Sequence, residues 1–494
     1  MIAVSPTLEE FLSGSAPFVP VQCEIVADSE TPVSVFAKLC AEAPSFLLES
    51  AEQNDHVGRF SFLGFGAKAT FSARGKTLTI CEDGVERTFL SEADPLAELE
   101  KWMQPYRVTP VAGLPNFSGG AVGHIGYDCV RWFEPTIPAP PPDELGIPDL
   151  FFMVPETVLA FDHRQRRLRI LCLTFPGEGD RAGCHARAVA AIERVLDALR
   201  RPLALPPLPT SLHGVSSPAT SNTTREDYHA MVHRAQEDIR AGDIFQIVLA
   251  QRFETPFSGD ALSLYRALRF VNPSPYMFCL RCPGGYALVG SSPEVHVRLT
   301  GDLVEIRPIA GTRRRGQSPA EDQANADDLL ADPKERAEHL MLVDLARNDV
   351  GRIARYGSVR VSDFMTIERY SHVMHIVSHV SGRLADGRSA FDVLRATFPA
   401  GTVSGAPKVR AMQILNSLEK SKRCSYSGAV GYFGFDGNHD SCIALRTIVL
   451  KDGKAYVQAG GGVVADSTAE GEYQETVNKA MAGLRAIDHA RMIP

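Results

Sequence analysis

Short segments in which apolar and polar residues alternate dominate the first 200 residues of the chain. The segment FSFLGFGAKATFSARGKTLTICEDG at 60–84 alternates in this way and is interrupted by glycines, which is typical of β-hairpins. LRILCLTF at 168–175 predicts a further strand, and CHARAVAAIERVLDALR at 184–200 has the apolar spacing of a helix. We therefore predict that residues 1–200 form an α+β domain around an antiparallel sheet.

The remainder of the chain alternates long helical segments with short strands. REDYHAMVHRAQEDIRAGD at 225–243 predicts an amphipathic helix that leads into the strand IFQIVLAQRFE at 244–254. Residues 201–224 are rich in Pro, Ser and Thr and poor in residues that pack, which predicts a linker. The pattern thus predicts a second domain over residues 225–488, built on a large sheet flanked by helices.

One sequence pattern occurs in both predicted domains. GAVGHIGYD at 120–128 and GAVGYFGFD at 428–436 share their glycines, Ala, Val and Asp. Glycines spaced in this way within a strand permit close backbone approach or a bulge. The repetition indicates a similar sheet in each domain, the two sheets facing each other, unless the match is a coincidence.

A highly charged segment, residues 332–349, also has the apolar spacing of a helix. Asp332 can cap its N-terminus, Pro333 suits the first helical position, and Glu335 stands at the capping-box position. Glu335 and Glu338 share a face with apolar residues one and two turns later, so both carboxylates should be partly buried. Such a pair requires a metal cation, an Arg or Lys side chain, or a proton. The alternative is an exposed capping turn whose acids favour the helix N-terminus.

A second acidic helix is predicted from residue 466 to residue 479. Asp466 or Ser467 can cap it, and Glu472, Glu475 and Lys479 fall on one face. Two helices that each present Glu-x-x-Glu without a histidine suit a hard divalent cation such as Mg²⁺, which in turn favours an anionic ligand. The alternative is a pair of unrelated solvated helices.

Two further features could bind an anion. GTVSGAPK at 401–408 resembles a phosphate loop, but Ala and Pro separate its glycine from its lysine, so it is not a Walker motif. This turn can still offer backbone N–H groups to a carboxylate. Arg446 is the charged residue of the predicted strand CIALRTIVL, where it either leaves the strand end or clamps a carboxylate.

Composition narrows the class of protein. The 494 residues are 44% hydrophobic and 22% charged with a net charge of −8, which are globular values without a basic stripe for nucleic acid. No apolar run approaches the roughly 18 residues that cross a membrane, and the N-terminus lacks the features of a secretory signal. Ten scattered cysteines, including the single C-x-x-C of Cys279 and Cys282, suggest reduced thiols in a cytoplasmic protein.

The motifs of the second domain, taken together, resemble those of the chorismate-utilising enzymes, in particular the large subunits of anthranilate synthases. They are PIAGT (308–312), EHLMLVDLARND (338–349), FPAGTVSGAPK (398–408), YSGAVGYFGFDG (426–437) and QAGGGVVADS with ETVNKA (458–480). The resemblance covers residues 225–488 almost continuously and extends to LLES at 47–50 and GGAVGHIGYD at 119–128. It implies a two-domain α/β sandwich of antiparallel sheets, an α+β fold like the one predicted above.

Two positions distinguish members of this family that add ammonia from members that add water to the substrate ring. Relatives that add ammonia at another ring carbon carry a lysine in PIAGT, where this chain has Ala310. Relatives that add water carry a lysine base in the strand after GDI, where this chain has Gln246. Ammonia has a lone pair and needs no strong side-chain base, whereas water does. The resemblance therefore implies ammonia, with Gln246 among the catalytic residues.

The implied reaction adds ammonia at C2 of chorismate as the C4 hydroxyl departs and then eliminates pyruvate to give anthranilate. Glu294, in SSPE, matches the general acid for the departing hydroxyl, and we expect burial to raise its pKa. His375, in VMHIVSHV, matches a histidine linked to the elimination of pyruvate. By itself, a histidine on an apolar helix is more often structural.

The resemblance also implies Mg²⁺ as cofactor and a chorismate site. Glu338 and Glu475 match the metal ligands, and Glu335 and Glu472 would reach the metal through water. The residues that match chorismate contacts are Gly311, Thr312, Tyr426, Arg446, Gly460, Gly461, Gly462 and Lys479. Among them Arg446 and Lys479 suit carboxylates.

A regulatory site that binds tryptophan between the two domains is implied as well. Ser50 in LLES and Pro275, Tyr276 and Met277 in NPSPYMF match its positions. The prolines would preset the loop, and an aromatic ring with a methionine can cover an indole. The alternative is that NPSPYMF is only a turn that enters a strand. With both motifs present, the resemblance implies feedback inhibition by tryptophan.

The sequence contains no segment with the catalytic-cysteine elbow of a glutamine amidotransferase. We therefore expect a separate small subunit to deliver ammonia from glutamine, in a heterotetramer, and we expect free ammonia to support activity without it. The resemblance places the enzyme in tryptophan biosynthesis, with no nucleic-acid or membrane partner.

Overall fold

A computed structural model describes residues 3–51, 58–108, 114–175, 180–203, 205–210, 218–370 and 373–493. The helices in these ranges are α1 (Leu8–Ser13), α2 (Pro32–Leu39), α3 (Pro95–Met103), α4 (Val130–Phe133), α5 (Arg181–Leu199), α6 (Arg225–Arg240), α7 (Ala261–Val271), α8 (Pro319–Ala331), α9 (Pro333–Gly351), α10 (Ala390–Thr397), α11 (Lys408–Leu418) and α12 (Ala469–Arg491). Short 3₁₀ turns cover Gln104–Tyr106, Tyr127–Cys129 and Gly401–Val403.

The strands of the first part of the chain are β1 (Val19–Val26), β2 (Ser45–Glu49), β3 (Phe60–Arg74), β4 (Thr77–Glu82), β5 (Val85–Leu90), β6 (Gly120–Ile125), β7 (Leu150–Asp162), β8 (Arg167–Thr174) and β9 (Thr220–Ser221). Those of the second part are β10 (Gln246–Pro256), β11 (Tyr276–Cys282), β12 (Tyr286–Ser292), β13 (Val295–Thr300), β14 (Leu303–Ile306), β15 (Ile309–Arg314), β16 (Arg360–Val361), β17 (Thr366–Arg369), β18 (Val373–Val377), β19 (Val380–Arg383), β20 (Gly405–Ala406), β21 (Ala429–Gly434), β22 (His439–Ile443), β23 (Thr447–Lys451) and β24 (Lys454–Val463).

The described strands form one large antiparallel sheet and a small one. Two arms of the large sheet leave the long pair β3–β7. One arm runs through β2, β11, β12, β23, β24 and β10, and the other runs through β6, β21, β22, β13, β14 and β19. The chain passes from one arm to the other at residues 293–294 and again at 444–446. Both arms therefore contribute residues at these two crossings.

Hydrogen bonding between strands crosses the predicted domain boundary. Leu48 of β2 lies opposite Phe278 of β11, and β6 pairs with β21. Within the predicted linker, residues 204 and 211–217 lie outside the described residues, and β9 pairs with β10. The division into residues 1–200 and 225–488 stays a prediction, whereas the predicted α+β fold built on antiparallel strands is confirmed.

The repeated glycine pattern lies where β6 and β21 meet. Gly123 is directly opposite Gly431, so the two copies pair edge to edge in one sheet; the prediction of two sheets facing each other was wrong. A Cβ atom on Gly123 would lie 1.9 Å from the carbonyl oxygen of Phe151, and one on Gly431 would lie 2.1 Å from that of Asp440. Both glycines are needed because the backbone of the neighbouring strand occupies the space of a side chain.

Most of the locally predicted elements form. The hairpin at 60–84 is β3 and β4, the strand at 168–175 is β8, and the helix after it is α5. Helices α5, α7 and α12 bury their apolar faces against the large sheet, where Ala188, Leu264 and Ala480 belong to one core. The small sheet of β15, β18 and β17 packs against α8 through Leu329 and Ile376. Helix α9 follows α8 directly and also contacts the small sheet.

Candidate active site

A cavity of about 530 Å³ opens where the chain crosses between the two arms of the large sheet. Most of the residues predicted for catalysis, substrate binding and metal binding line it, although they come from separate parts of the chain. These residues are Gln246, Glu294, Gly311, Thr312, Glu335, Glu338, His375, Tyr426, Arg446, Gly460, Gly462, Glu472, Glu475 and Lys479. The exception is Gly461, which does not line the cavity.

Helix α9 begins as the sequence predicts. The Asp332 carboxylate accepts hydrogen bonds from the backbone N–H groups of Lys334 and Glu335, at 2.9 and 3.2 Å, and Pro333 is the first helical residue. The capping-box role of Glu335 was wrong, because its carboxylate does not return to the helix N-terminus. It pairs with the Arg313 guanidinium at 3.3 Å instead, and Arg313 also pairs with Asp332 at 2.9 Å.

The N-cap of helix α12 lies one residue after the later of its two predicted caps. Thr468 is its N-cap, and neither Asp466 nor Ser467 takes that role. The Ser467 hydroxyl instead donates to Glu472 Oε1 at 2.7 Å. Both Ser467 and Glu472 line the cavity.

The Glu-x-x-Glu pairs of the two helices meet on one wall of the cavity. Glu338 is half-buried and accepts a hydrogen bond from Gln246 at 3.4 Å. Its burial, followed by the charges of Glu335 and Glu475, raises the pKa of its carboxyl. Burial also raises the pKa of Glu472, whose Oε2 is buried without a hydrogen-bond partner. This wall therefore carries more negative charge than its surroundings neutralise.

These carboxylates fit a divalent cation, although no three acidic, histidine or cysteine side chains of the described residues form a ready-made metal cluster. Glu475 is paired with Lys479 at 2.6 Å, and Glu335 is paired with Arg313. The donors are oxygen atoms only, which Mg²⁺ prefers, and the unpartnered oxygen of Glu472 and the mutually repelling Glu338 and Glu475 would gain from a cation. The set suits Mg²⁺ better than zinc, which favours sulfur and imidazole ligands.

Glu294 lies at the first crossing between the arms, between β12 and β13, and is 9% exposed. Its burial raises the pKa of its carboxyl to about 8, and nearby Thr402 and the Lys479 ammonium oppose this effect only in part. Glu294 therefore holds a proton at neutral pH. A protonated carboxyl in a substrate-sized cavity can serve as a general acid.

The turn GTVSGAPK forms the wall beside Glu294, where Thr402 and Val403 line the cavity. It lies against helix α9 so closely that a Cβ on Gly401 would be 1.8 Å from Leu345 Cδ2. The Lys408 ammonium of this turn donates to both oxygens of the buried Asp349 carboxylate, at 2.8 and 2.7 Å. The charged end of α9 thus has a structural role, since it fastens the turn to the helix.

His375 lies on the strand β18, so the prediction that it belongs to a helix was wrong. Its Nδ1 is 2.8 Å from the carbonyl oxygen of Gly311 and 3.1 Å from the Thr312 hydroxyl. Because a carbonyl oxygen can only accept, Nδ1 carries the proton and Nε2 is free to accept one. Burial lowers the pKa of His375, which keeps the ring neutral. A neutral imidazole in this cavity can act as a base.

Arg446 lies at the second crossing, between β22 and β23 rather than within a single strand as predicted. Its backbone is left-handed, with φ of 46°, which is uncommon for a residue other than glycine. In the described part of the chain its guanidinium forms no ion pair with a carboxylate, and its one side-chain hydrogen bond is to Asn272 Oδ1 at 3.4 Å. Burial lowers its pKa. A partly buried guanidinium without a carboxylate partner is well suited to an anionic ligand.

The glycine run of β24 and Tyr426 form the part of the wall next to helix α12. A Cβ on Gly460 would lie 2.7 Å from the Tyr426 hydroxyl, so this glycine leaves room for the ring. A Cβ on Gly461 would lie 2.7 Å from Glu472 Oε2, so Gly461 makes room for a side chain of helix α12 rather than for the cavity. Lys479 donates to the carbonyl oxygen of Gly460 at 3.1 Å. Helix α12 is thereby fixed to the strand that lines the site.

Several residues that line the cavity are not among those predicted from the sequence. They include Val248, Ala459, Gln458 and Lys334. Only Lys334 had a usable local signal, since it stands one residue before Glu335 at the acidic end of α9. The others are apolar or neutral strand residues, and nothing in their sequence neighbourhood distinguishes them from core.

The residues predicted for a regulatory site also come together. Ser50, Pro275, Tyr276 and Met277 line a separate cavity of about 180 Å³ between β2, β11 and β21. The Tyr276 hydroxyl donates to Asp440 Oδ1 at 2.9 Å. The alternative prediction, a turn that enters a strand, describes the same segment, because β11 begins at Tyr276. The segment can both form the strand and line the cavity.

Other sequence predictions concern cysteines and membranes. Cys279 and Cys282 are buried in β11, and all ten cysteines are free thiols, so the pair consists of plain strand residues. Among the helices that the structure describes, none is both long enough and apolar enough to span a bilayer.

Comparison with known proteins places the fold and the site in context. Residues 43–485 match the family described as chorismate binding enzyme. Anthranilate synthase component 1 of Pseudomonas putida is 46% identical over 473 residues, which is 95% of each chain. The same component of Aquifex aeolicus is 44% identical over 492 residues, or 98% of each.

Solved structures agree with this picture. The crystal structure of anthranilate synthase component I from Streptococcus pneumoniae TIGR4 superposes with a TM-score of 0.74 at 37% identity, covering 93% of this chain and 99% of that one. MenF, the menaquinone-specific isochorismate synthase from Escherichia coli, superposes with a TM-score of 0.70 at 19% identity, which supports the fold alone.

Proposed function

The chain belongs to the family of chorismate binding enzymes, and from this we propose that it is the synthase subunit of an anthranilate synthase. It converts chorismate and ammonia to anthranilate and pyruvate, a step of tryptophan biosynthesis. The observation that carries the choice of product is that Ala310 and Gln246 both line the cavity. Neither position offers a lysine to activate water or to direct ammonia elsewhere on the ring.

Chorismate carries two carboxylates, and the cavity offers cations for them. Arg446 is partly buried and has no carboxylate partner among the described residues, which supports a bidentate bond to one substrate carboxylate. Lys479 lies beside the acidic wall, where it can release Glu475 and approach the substrate. Gly311, Thr312, Tyr426, Gly460 and Gly462 shape the space between them.

We propose Mg²⁺ as the cofactor, held by Glu338 and Glu475, with Glu335 and Glu472 reached through water. When bound, the ion would anchor the ring carboxylate and offset its charge. The support is the excess of carboxylate oxygens on one wall and the unpartnered Oε2 of Glu472. In this arrangement the acids hold the ring carboxylate end of the substrate, and Gln246 keeps Glu338 oriented.

The first step of the proposed reaction, the replacement of the C4 hydroxyl by ammonia at C2, needs an acid. The second step, the elimination of pyruvate, needs a base. Glu294, protonated at neutral pH, would donate its proton to the hydroxyl that departs from C4 while ammonia attacks C2. The unprotonated Nε2 of His375 would then take part in the elimination of pyruvate, held in orientation by the bond from Nδ1 to Gly311. Ammonia needs no side-chain base for its attack, because its lone pair is available.

We also propose that tryptophan inhibits the enzyme from the cavity lined by Ser50, Pro275, Tyr276 and Met277. This cavity has an apolar side and a polar edge at Tyr276 and Asp440, which suits an indole with an amino-acid group. Turnover of chorismate should fall in millimolar tryptophan, and Ser50→Phe should relieve the inhibition by filling the cavity. Unchanged wild-type turnover in tryptophan would refute this part of the proposal.

The ammonia would come from a separate glutamine amidotransferase subunit, in a heterotetramer located in the cytoplasm. The names of the relatives, each a component 1, support a second component. The free thiols of the chain are consistent with a reducing compartment. Mixing the purified chain with such a subunit should make activity dependent on glutamine instead of on added ammonium.

The test of the proposed function is the product. The purified chain is incubated with chorismate, Mg²⁺ and ammonium at alkaline pH, and the mixture is followed by anthranilate fluorescence and mass spectrometry. Anthranilate is the expected product; 4-amino-4-deoxychorismate or isochorismate in its place would reject the proposal. Glu338→Gln serves as the control for true turnover, since a non-catalytic binding protein would show no activity for this substitution to abolish.

A further inference from the structure

A fully buried arginine, Arg423, lies behind the wall of the catalytic cavity without lining it. Its side chain is 2% exposed and pairs with Glu419, whose side chain is 7% exposed. Nε donates to Glu419 Oε2 at 2.7 Å and Nη2 donates to Oε1 at 2.6 Å. Glu419 Oε1 also accepts from the backbone N–H of Ala250 at 3.0 Å. The Glu419 carboxylate therefore neutralises the charge of the guanidinium, and the other N–H groups of Arg423 can bind residues of the cavity wall.

These donors hold three separate segments of the wall. Arg423 Nη1 donates to the carbonyl oxygen of Val403 at 2.7 Å, and Nη2 donates to that of Val248 at 2.6 Å. The guanidinium carbon lies 5.6 Å from the centre of the Tyr426 ring. Val248, Val403 and Tyr426 all line the catalytic cavity and belong to a strand, a 3₁₀ turn and an irregular turn. One side chain thus connects three elements that each contribute a residue to the cavity.

The arrangement requires an arginine. A planar guanidinium has five donors in one plane and can stack between rings, whereas a lysine ammonium has three donors and no flat face. The guanidinium carbon of Arg423 lies over the Tyr127 ring, 4.7 Å from its centre, and over the Tyr426 ring, 5.6 Å from its centre. Tyr127 also donates its backbone N–H to the carbonyl oxygen of Cys424 at 2.9 Å. The first part of the chain therefore supports the catalytic wall through this stack.

The turn that carries Tyr426 has reason to relax if it is not held. Cys424 and Ser427 have left-handed backbones, with φ of 53° and 64°, and neither is a glycine. Such conformations persist only where surrounding contacts impose them. Arg423 supplies such contacts, since Nη1 also donates to the Ser427 hydroxyl at 3.3 Å.

We propose that Arg423 is a positioning residue for chorismate, fixing the Tyr426 ring and the backbone of Val248 and Val403 in the shape that the substrate requires. It acts through these three residues and does not touch the substrate. The inference rests on the proposed function, because chorismate is the ligand whose fit it maintains.

The test compares Arg423→Lys and Glu419→Gln with Arg410→Lys in the full chain. Arg410 is exposed, pairs with Asp243 and does not line the cavity, so its substitution is the matched control. Arg423→Lys keeps the charge but loses the stack and at least two charge-assisted bonds, so kcat/KM for chorismate should fall about 30-fold or more. Glu419→Gln should lower it about fivefold, and Arg410→Lys should change it less than about twofold.

Two further measurements separate positioning from general stability. In Arg423→Lys, the Mg²⁺ concentration for half-activation should stay within about twofold of wild type. The hydrogen bonds of Arg423 do not include any of the proposed metal-binding acids, Glu335, Glu338, Glu472 and Glu475. A lowered melting temperature with unchanged kcat/KM in Arg423→Lys would overturn the proposal. If Arg423→Lys does not fold, Glu419→Gln and Tyr127→Leu are measured in the same assay. Tyr127→Leu removes one of the two ring contacts of Arg423. Unchanged kcat/KM in both of these variants would overturn the proposal.

The proposed function and this inference fail separately. Wild-type product formation reports on the function alone. Chorismate binding to each variant, measured by calorimetry without ammonium, reports on positioning whatever the product is. Wild-type affinity in Arg423→Lys, together with unchanged kcat/KM, would refute the role of Arg423 even if the wild type makes anthranilate.

Discussion

Replacing Glu294 with glutamine should remove catalysis and stabilise the protein increasingly as the pH rises from about 4.5 to about 8. Glu294→Gln keeps the shape of the side chain and can imitate the protonated carboxyl, but it cannot donate the proton to the departing hydroxyl. Loss of a general acid costs roughly 10²- to 10⁴-fold in rate. The same burial that makes Glu294 an acid at neutral pH also makes its ionisation costly for the folded state.

The size of the stability effect follows from the pKa. The pKa of Glu294 is raised by burial from an ordinary 4.5 to about 8. Each tenfold change in proton affinity corresponds to about 1.4 kcal/mol, so the wild type loses up to about 5 kcal/mol as the pH rises. The sign follows because the folded state binds the proton more tightly than the unfolded state. The loss begins near pH 4.5, is complete above about pH 8, and is absent in Glu294→Gln.

Thermal unfolding followed by circular dichroism from pH 5 to pH 9 measures this difference. At about 2.1 cal/mol/K for each of 494 residues, the entropy of unfolding is about 1 kcal/mol/K, so 5 kcal/mol corresponds to a rise in Tm of about 5 °C. The Tm of Glu294→Gln should match wild type near pH 5 and exceed it by up to about 5 °C near pH 9, whereas Arg410→Lys should show a difference that does not vary with pH. A pH-independent difference for Glu294→Gln would refute the reasoning.

Three further substitutions test other parts of the site. Glu338→Gln should weaken Mg²⁺ binding in calorimetry by about tenfold or more and lower kcat, because it removes a charged oxygen donor; unchanged Mg²⁺ affinity would contradict the metal assignment. Arg446→Lys should raise KM for chorismate about 10- to 100-fold through loss of a bidentate bond, with a smaller change in kcat, and an unchanged KM would exclude this clamp. Lys408→Met should leave Asp349 buried and unpaired, lowering the stability by about 3–5 kcal/mol in thermal unfolding; a Tm equal to wild type would show that the pair is not structural.

Much of the local structure could be predicted from the chain. The start of α9 depends on Asp332 and Pro333, which act within one turn of the helix, so the sequence is enough to place it. The spacing of Glu335 and Glu338 likewise puts both on one side of α9, and both line the cavity. Burial of Glu294 could be anticipated only through the resemblance of its motif, and the structure bears it out.

The errors arose where a partner lies far away in sequence. Glu335 was assigned to the capping box, but Arg313 of the small sheet takes its carboxylate. His375 was assigned to an apolar helix, but a short apolar segment is equally compatible with the strand that the structure shows. The two glycine-rich repeats were assigned to separate sheets, although Gly123 and Gly431 pair directly.

By itself, the sequence determined the periodic elements, the helix caps at α9, the acidic pairs and the motifs that identify the family. These depend on residues within a few positions of each other, where chain geometry fixes the spacing. Only the tertiary structure decided which charges remain unpaired, as at Arg446, and which side chain holds the cavity wall, as Arg423 does for Val248, Val403 and Tyr426. Burial and partner choice depend on residues that lie from 20 to 175 positions apart in the chain, and no local pattern records those contacts.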